Sequence, residues 1–178
     1  MTFDALVKQL SEQSYPPVDK WTPNLTGPMD LTITVRGEWI HEGTRIARAG
    51  LVKLLSTVLR REGDDYFLVS PGEKYQITVE DAPFVAVEVD VASSNGDQTF
   101  IFRTNVDDLV RLDANHTVWT TRNEKTGEPR PYLHVRQGLN ALVNRSVYYQ
   151  LVDFCEARAI DGVDRFGIAS DGEFYPID

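Results

Sequence analysis

Two arginines occupy matching places in this chain. Arg48 precedes one amphipathic stretch and Arg145 precedes another. Projected at about 100° per residue, each falls on the side that carries its stretch's apolar stripe. A guanidinium at a helix N-terminus opposes the helix dipole, and one facing a core loses its hydration, so it needs an anion. Two sources of that anion are open. One is internal, with Glu73 serving Arg48 and Glu173 serving Arg145, since both acids are themselves duplicated. The other is a ligand phosphate or carboxylate, helped by free helix N–H groups.

The histidines follow a similar logic. His41 and His134 each stand two residues after an aromatic, Trp39 and Tyr132, so each shares a strand face with it. Such a pair can stack on a ligand or sit half-exposed on a strand. If the two histidines met across an interface they could bind a metal, but no carboxylate or cysteine joins them at ligand spacing. Arg103 and Asn105 share a face in FRTNVDDLVRLD (102–113), where Asp107 and Asp108 suit a turn or a helix cap. Arg136 follows the YLHV strand, and with Tyr148 and Tyr149 it could line a cleft near Arg145; tyrosines at that spacing also suit a core or an interface. Cys155 lies on an apolar stripe and reads as an inert thiol. The G-x-S-x-G, H-E-x-x-H, C-x-x-C and Walker-type signatures are absent, which argues against the common hydrolase, zinc-protease and NTPase classes.

The elements that must position these residues come in two sets. Residues 66–77, YFLVSPGEKYQI, and 166–177, FGIASDGEFYPI, share Ser70/Ser170, Gly72/Gly172, Glu73/Glu173, Tyr75/Tyr175 and Ile77/Ile177. Before each lies a helical pattern. The first is expected from Ala49 to Arg61, with Leu51, Leu54, Leu55 and Val58 as its stripe and Gly63 as its stop. The second is expected from Ser146 to Arg158, with Tyr148, Leu151, Val152 and Cys155 as its stripe. Strands LTITV (31–35) and WIH (39–41) precede the first helix, and TVWTT (117–121) and YLHV (132–135) precede the second. The expected architecture is α+β, a duplicated β-β-α-β-β unit with antiparallel sheets.

Between the units, FVAVEVDV (84–91) alternates strictly, placing Val85, Val87, Val89 and Val91 on one face; Asn95-Gly96 then signals a hairpin to TFIFRT (99–104). At the N-terminus, Phe3, Leu6, Val7 and Leu10 make a helical face with Thr2 as N-cap, and YPPVDKWTPNLTGP reads as an extended segment pinned by Tyr15 and Trp21. The organisation expected is a docking segment at 1–28, a first unit at 29–82, and a second unit with an added hairpin at 83–178.

Bulk properties narrow the partners. The 178 residues carry 42% hydrophobic and 25% charged side chains, ordinary for a folded chain. Net charge is −9, with nine basic against twelve acidic residues in 1–82 and nine against fifteen in 83–178. Neither half suits a nucleic-acid polymer or an anionic membrane. One cysteine allows no intrachain disulfide, no apolar run is long enough to span a bilayer, and MTFDALVKQLSEQ is not a signal peptide, so a cytoplasmic setting is expected.

The stretches PPVDKWTPNLTGPMDLTI (16–33), WIHEGTRIAR (39–48), LVKLLSTVLRREGDDYFLVSPGEKYQI (51–77), VEDAPFVAVEV (79–89), FRTNVDD (102–108) and PYLHVRQGLNALVNRSVYYQLV (131–152) together resemble the DUF1285 family of bacterial proteins. The resemblance spans almost the whole chain. It implies a cytoplasmic α+β protein with a duplicated core, whose C-terminal half is loosely similar to pleckstrin-homology-like folds. It also implies a nucleotide-like ligand between the halves and a role in signalling or stress response. It supplies no catalytic residues, though Arg45, Arg48, Arg136 and Arg145 lie within its motifs. The resulting expectation is a non-enzymatic regulatory protein, without a cofactor, that binds a small anionic ligand between its units. The candidate contacts are Arg48, Arg145, Arg45, Arg136, Arg103, His41, His134, Trp39 and Tyr148. A protein-interaction module is the first alternative. An enzyme using His41 or His134 as acid or base is the second.

Overall fold

The structure is a computed structural model and describes residues 2–178. Helix α1 (Phe3–Glu12) starts where the Thr2 hydroxyl accepts the Ala5 N–H, as its N-cap position predicts. It buries Leu6 against Ile101 and Leu109, which lie between the two units. A 3-10 turn (Val18–Lys20) interrupts the Pro-rich segment, and Val18 packs on Phe67 and Val69 with Trp21 alongside.

The first unit is β1 (Leu25–Ile33), β2 (Trp39–His41), β3 (Thr44–Arg45), α2 (Ala49–Ser56), β4 (Leu59–Glu62), β5 (Asp65–Val69) and β6 (Glu73–Val79). β1 begins inside the segment assigned from sequence to docking. Then come β7 (Phe84–Ser94), β8 (Asp97–Thr104) and β9 (Leu109–Arg111). The second unit is β10 (Val118–Arg122), β11 (Pro129–Arg136), β12 (Leu139–Val143), α3 (Arg145–Val152), β13 (Glu156–Ile160), β14 (Val163–Ser170) and β15 (Glu173–Pro176). The chain is therefore α+β with a duplicated unit, and each copy is β-β-β-α-β-β-β, one strand richer on either side of the helix than the spacing predicts. The extra strand after each helix comes from the end of the predicted helix, and the one before it, β3 or β12, from the connection leading in. α2 stops at Ser56 because the Ser56 and Thr57 hydroxyls donate to the Lys53 and Leu54 carbonyls, and Leu59–Glu62 continues as a strand. α3 stops at Val152, and Glu156–Ile160 is extended.

Sheet order is β3-β2-β1-β6-β5-β4 in the first sheet and β10-β11-β12-β7-β8-β9 in the second, with β13-β14-β15 a separate sheet of three. Most pairs are antiparallel, but β1 runs parallel to β6 and β12 parallel to β7, so each large sheet is two meanders joined by a parallel pair. One core cluster runs through all three sheets, from Ile33 and Trp39 through Phe84, Phe100 and Phe102 to Ile168 and Ile177. The expected hairpin at Asn95-Gly96 forms with φ of 53° and 88°. The strict alternation of β7 does not survive. A bulge between Ala86 and Glu88 shifts the register, so Phe84, Ala86, Val89 and Val91 join the core while Val85 and Val87 face a cleft.

Candidate functional site

The cleft lies where the β1–β2 turn of the first unit meets the second sheet and the start of α3. Its volume is about 1030 Å³. Val35 and Arg36 come from that turn; Val85, Val87, Leu142 and Val143 form an apolar floor; Tyr148 and Tyr149 stand on one side. Gly37 closes the turn at φ +81°, and the Asn105 amide packs on it, donating to the Gly37 carbonyl at 3.1 Å and accepting the Val85 N–H at 2.9 Å. A side chain at Gly37 would collide with that amide, so glycine sets how closely the two units approach.

Three arginines reach the cleft: Arg36, Arg130 and Arg145. Arg130 is already engaged. It donates to Asp81 at 2.8 Å and to the Tyr132 hydroxyl at 3.2 Å, and those bonds hold its guanidinium above the usual arginine pKa. Burial, with the Asp81 bond, raises the Tyr132 hydroxyl. Arg36 and Arg145 are exposed and make no ion pair among the described residues. Glu128 also lines the cleft, so its walls carry one acid against three arginines. Tyr148 donates its hydroxyl to the Ile177 carbonyl at 3.3 Å, burial raises that hydroxyl's pKa, and the ring is left against the cleft. Asn144 caps α3 by accepting the Val147 N–H at 2.8 Å, using one of the N–H groups an anion would otherwise find.

The paired arginines are not equivalent. Arg48 is the N-cap residue of α2, whereas the α3 N-cap is Asn144 and Arg145 is the first helical residue. Both are exposed rather than turned to the core, because the buried faces differ from the projected stripes: Leu51 and Leu54 are exposed in α2, and in α3 Val147, off the stripe, is buried while Val152, on it, is exposed. Neither expected ion pair forms. Glu73 and Glu173 are the exposed first residues of β6 and β15, with no salt bridge to either arginine.

The remaining candidates lie elsewhere. Arg136 is nearly buried in an ion pair with Asp108. It also donates to the Ser56 carbonyl at 2.9 Å and packs over the Tyr15 ring at 4.0 Å, tying the two units to the N-terminal segment. Burial and the Asp108 carboxylate raise the Tyr15 hydroxyl, which donates to Asp108 at 2.9 Å. Arg103 pairs with Glu88 and Asp107, and Arg45 lies 3.7 Å from Glu38. Trp39 is buried in the core, out of reach of a ligand. His134 contacts the Asn115 carbonyl at 3.0 Å and the Gly138 N–H at 3.2 Å, and stacks with His116 rather than His41. His41 is exposed at the end of β2. No cluster of three metal-ligating side chains occurs among the described residues, and no helix among them is long and apolar enough to cross a membrane.

Of the sequence candidates, then, the cleft gathers Arg145 and Tyr148. No motif in the sequence singles out Arg36, which falls between the LTITV and WIH strands, or Arg130, which sits in a polar, proline-rich stretch. The one available signal was the glycine after Arg36, which marks a close approach of backbone.

The fold and cleft define an α+β protein of duplicated units meeting at a shared pocket. Family models of unknown function match in two parts, the N-terminal DUF1285 domain over residues 16–82 and the C-terminal DUF1285 domain over 83–177. The chain belongs to the DUF1285 family. It is similar to the crystal structure of a DUF1285 family protein from Silicibacter pomeroyi DSS-3, at 40% identity and a TM-score of 0.84, over 97% of this chain and 93% of that one. A DUF1285 family protein from Shewanella baltica OS155 is 27% identical with a TM-score of 0.56, over 70% of this chain and 91% of that one. No curated protein matches the chain.

Proposed function

We propose that this is a non-enzymatic regulatory protein that binds a small anionic, nucleotide-like ligand in the cleft between its units. One observation carries this reading. The cleft takes an arginine without an ionic partner from each unit, Arg36 and Arg145, and sets them beside apolar walls and two tyrosine rings. Arginines recognise phosphate or carboxylate through paired N–H donors, and exposed rings give a planar group a stacking surface. A volume of about 1030 Å³ suits a nucleotide-sized molecule. Among the described residues neither His41 nor His134 is paired with a carboxylate, so the histidines lend the acid–base alternative no support.

Thermal-shift titration against nucleotides, coenzyme A derivatives and phosphorylated metabolites tests the reading. At saturation, a ligand at about 100 times its Kd stabilises the fold by about 2.7 kcal/mol. Arg145→Ala and Arg36→Ala should each weaken that response, and the double variant should abolish it. If no anion stabilises the wild type, or the double variant keeps the full response, the assignment fails.

A further inference from the structure

Sheet edges expose unpaired N–H and C=O groups, and folded chains generally cover or blunt them. The two copies of the repeat treat the same edge differently. In the first copy the edge strand is β4, and the N-terminal segment lies along it: Arg60 donates to the Val18 and Trp21 carbonyls at 3.0 and 2.8 Å. In the second copy the matching edge strand is β13, and all five of its residues are exposed. The hairpin it forms with β14 stands clear of the body at its far end, leaving Val163 60% and Phe166 55% exposed.

The register shows which groups are open. Ile160 and Val163 close a tight turn at Asp161-Gly162, with φ of 51° and 79°. They therefore exchange hydrogen bonds, as do Arg158 with Arg165 and Glu156 with Gly167 at alternate positions. The backbone groups of Ala157 and Ala159 point outward. Their methyl groups present no bulk to an incoming strand.

We propose that β13 is a self-association edge, pairing antiparallel with β13 of a second copy about a twofold axis through Ala157. The charges choose the partner and the register. Glu156 and Arg158 share one face and lie 2.6 Å apart within the chain. About that axis, each Glu156 falls opposite the partner's Arg158, so two carboxylates and two guanidiniums alternate. Ile160 falls opposite the partner's Phe154, and both residues are partly exposed in the monomer. Moving the axis to Arg158 would set two guanidiniums against each other, which disfavours that register. Charges that blunt an edge against unrelated strands thus attract a second copy.

Sedimentation equilibrium on the full chain between about 1 and 100 µM tests this, since a short edge contact gives micromolar affinity at best. The wild type should show a reversible monomer–dimer equilibrium in that range. Ala157→Pro removes an outward N–H without touching the β13–β14 bonds and should weaken dimerisation by about tenfold or more, with the melting temperature checked to confirm folding. Glu156→Arg, which places like charges opposite each other twice per dimer, should weaken it by about tenfold as well. Combining Glu156→Arg with Arg158→Glu should restore the wild-type affinity. A monomer throughout the range, a dimer indifferent to the single variants, or a charge-swapped variant that stays monomeric would each overturn the proposal. None of these variants touches the cleft, so the result is separable from the ligand reading.

Discussion

The stretch from α2 to β6 and the stretch from α3 to β15 run through the same elements and end in the same string, Ser-x-Gly-Glu-x-Tyr-x-Ile. They do different work with it. Ser70 is partly exposed and serves its own turn, accepting the Glu73 N–H at 3.1 Å. Ser170 is fully buried and serves the second sheet, accepting the Phe100 N–H at 3.3 Å and donating to the Leu112 carbonyl at 2.9 Å. Tyr175 is buried in the core while Tyr75 is half-exposed. The turns differ too: Asp171-Gly172 adopts φ of 49° and 80°, and Asp171 grips Arg111 at 2.5 and 2.7 Å, whereas Pro71 stands at the matching place and can do neither. In the first copy the three strands after the helix extend their own sheet through the β1–β6 pair. In the second copy that parallel partner is β7, so the last three strands are displaced and pack over β8 and β10 instead. A repeated local sequence thus preserves its secondary structure while an inserted β-meander changes what surrounds it.

The comparison can be tested first at the helices. Leu55 and Leu151 occupy the same place, but Leu151 is 0% exposed and Leu55 is only half-buried. Leu151→Ala should cost about 2–5 kcal/mol in urea denaturation, and Leu55→Ala about 1 kcal/mol. Equal costs would mean that both helices sit equally deep.

The serines give the next contrast. Ser170→Ala leaves a buried N–H and a buried carbonyl without their partner, and should cost about 1–3 kcal/mol by the same measurement. Ser70→Ala should stay within about 0.5 kcal/mol. If the two costs match, the shared serine has a shared role after all.

The smallest effect is on acid stability. The Arg111 bonds hold the Asp171 carboxyl below its usual pKa. A carboxyl depressed in the folded state contributes stability above its unfolded pKa and loses it as pH falls through the folded value. Stability measured from about pH 4 downward should therefore fall less steeply in Asp171→Asn, which lacks that charge throughout. An unchanged slope would show that the pair contributes nothing in solution. No such loss can arise at the matching turn of the first copy, where Pro71 does not titrate.

Local chemistry was legible from the residues alone. Thr2 capping α1, the Asn95-Gly96 hairpin and the recurrence of a helix flanked by strands all follow from patterns within a few residues, which the chain carries wherever it folds; the third strand on each side of the helix was not legible. Burial was less legible. Leu54 and Leu151 both sit on a projected apolar stripe, yet one is 65% exposed and the other is buried, because the covering surface arrives from distant strands. The bulge at β7 likewise turned Val85 and Val87 from the core to the cleft, which no alternation pattern could announce.

The candidate site divides along the same line. Arg145 and Tyr148 were visible as types at helical spacing, but Arg36 became a candidate only when the Gly37 turn closed on Asn105 and brought the first unit against the second. The sequence by itself determined that a unit repeats, the cap of α1 and the Asn95-Gly96 turn, because those depend on short-range sterics and hydrogen bonding. Tertiary structure alone decided which arginines share the cleft, which are consumed by Asp81 and Asp108, and which copy keeps an open edge. Each of those outcomes depends on residues far apart in the chain meeting in space.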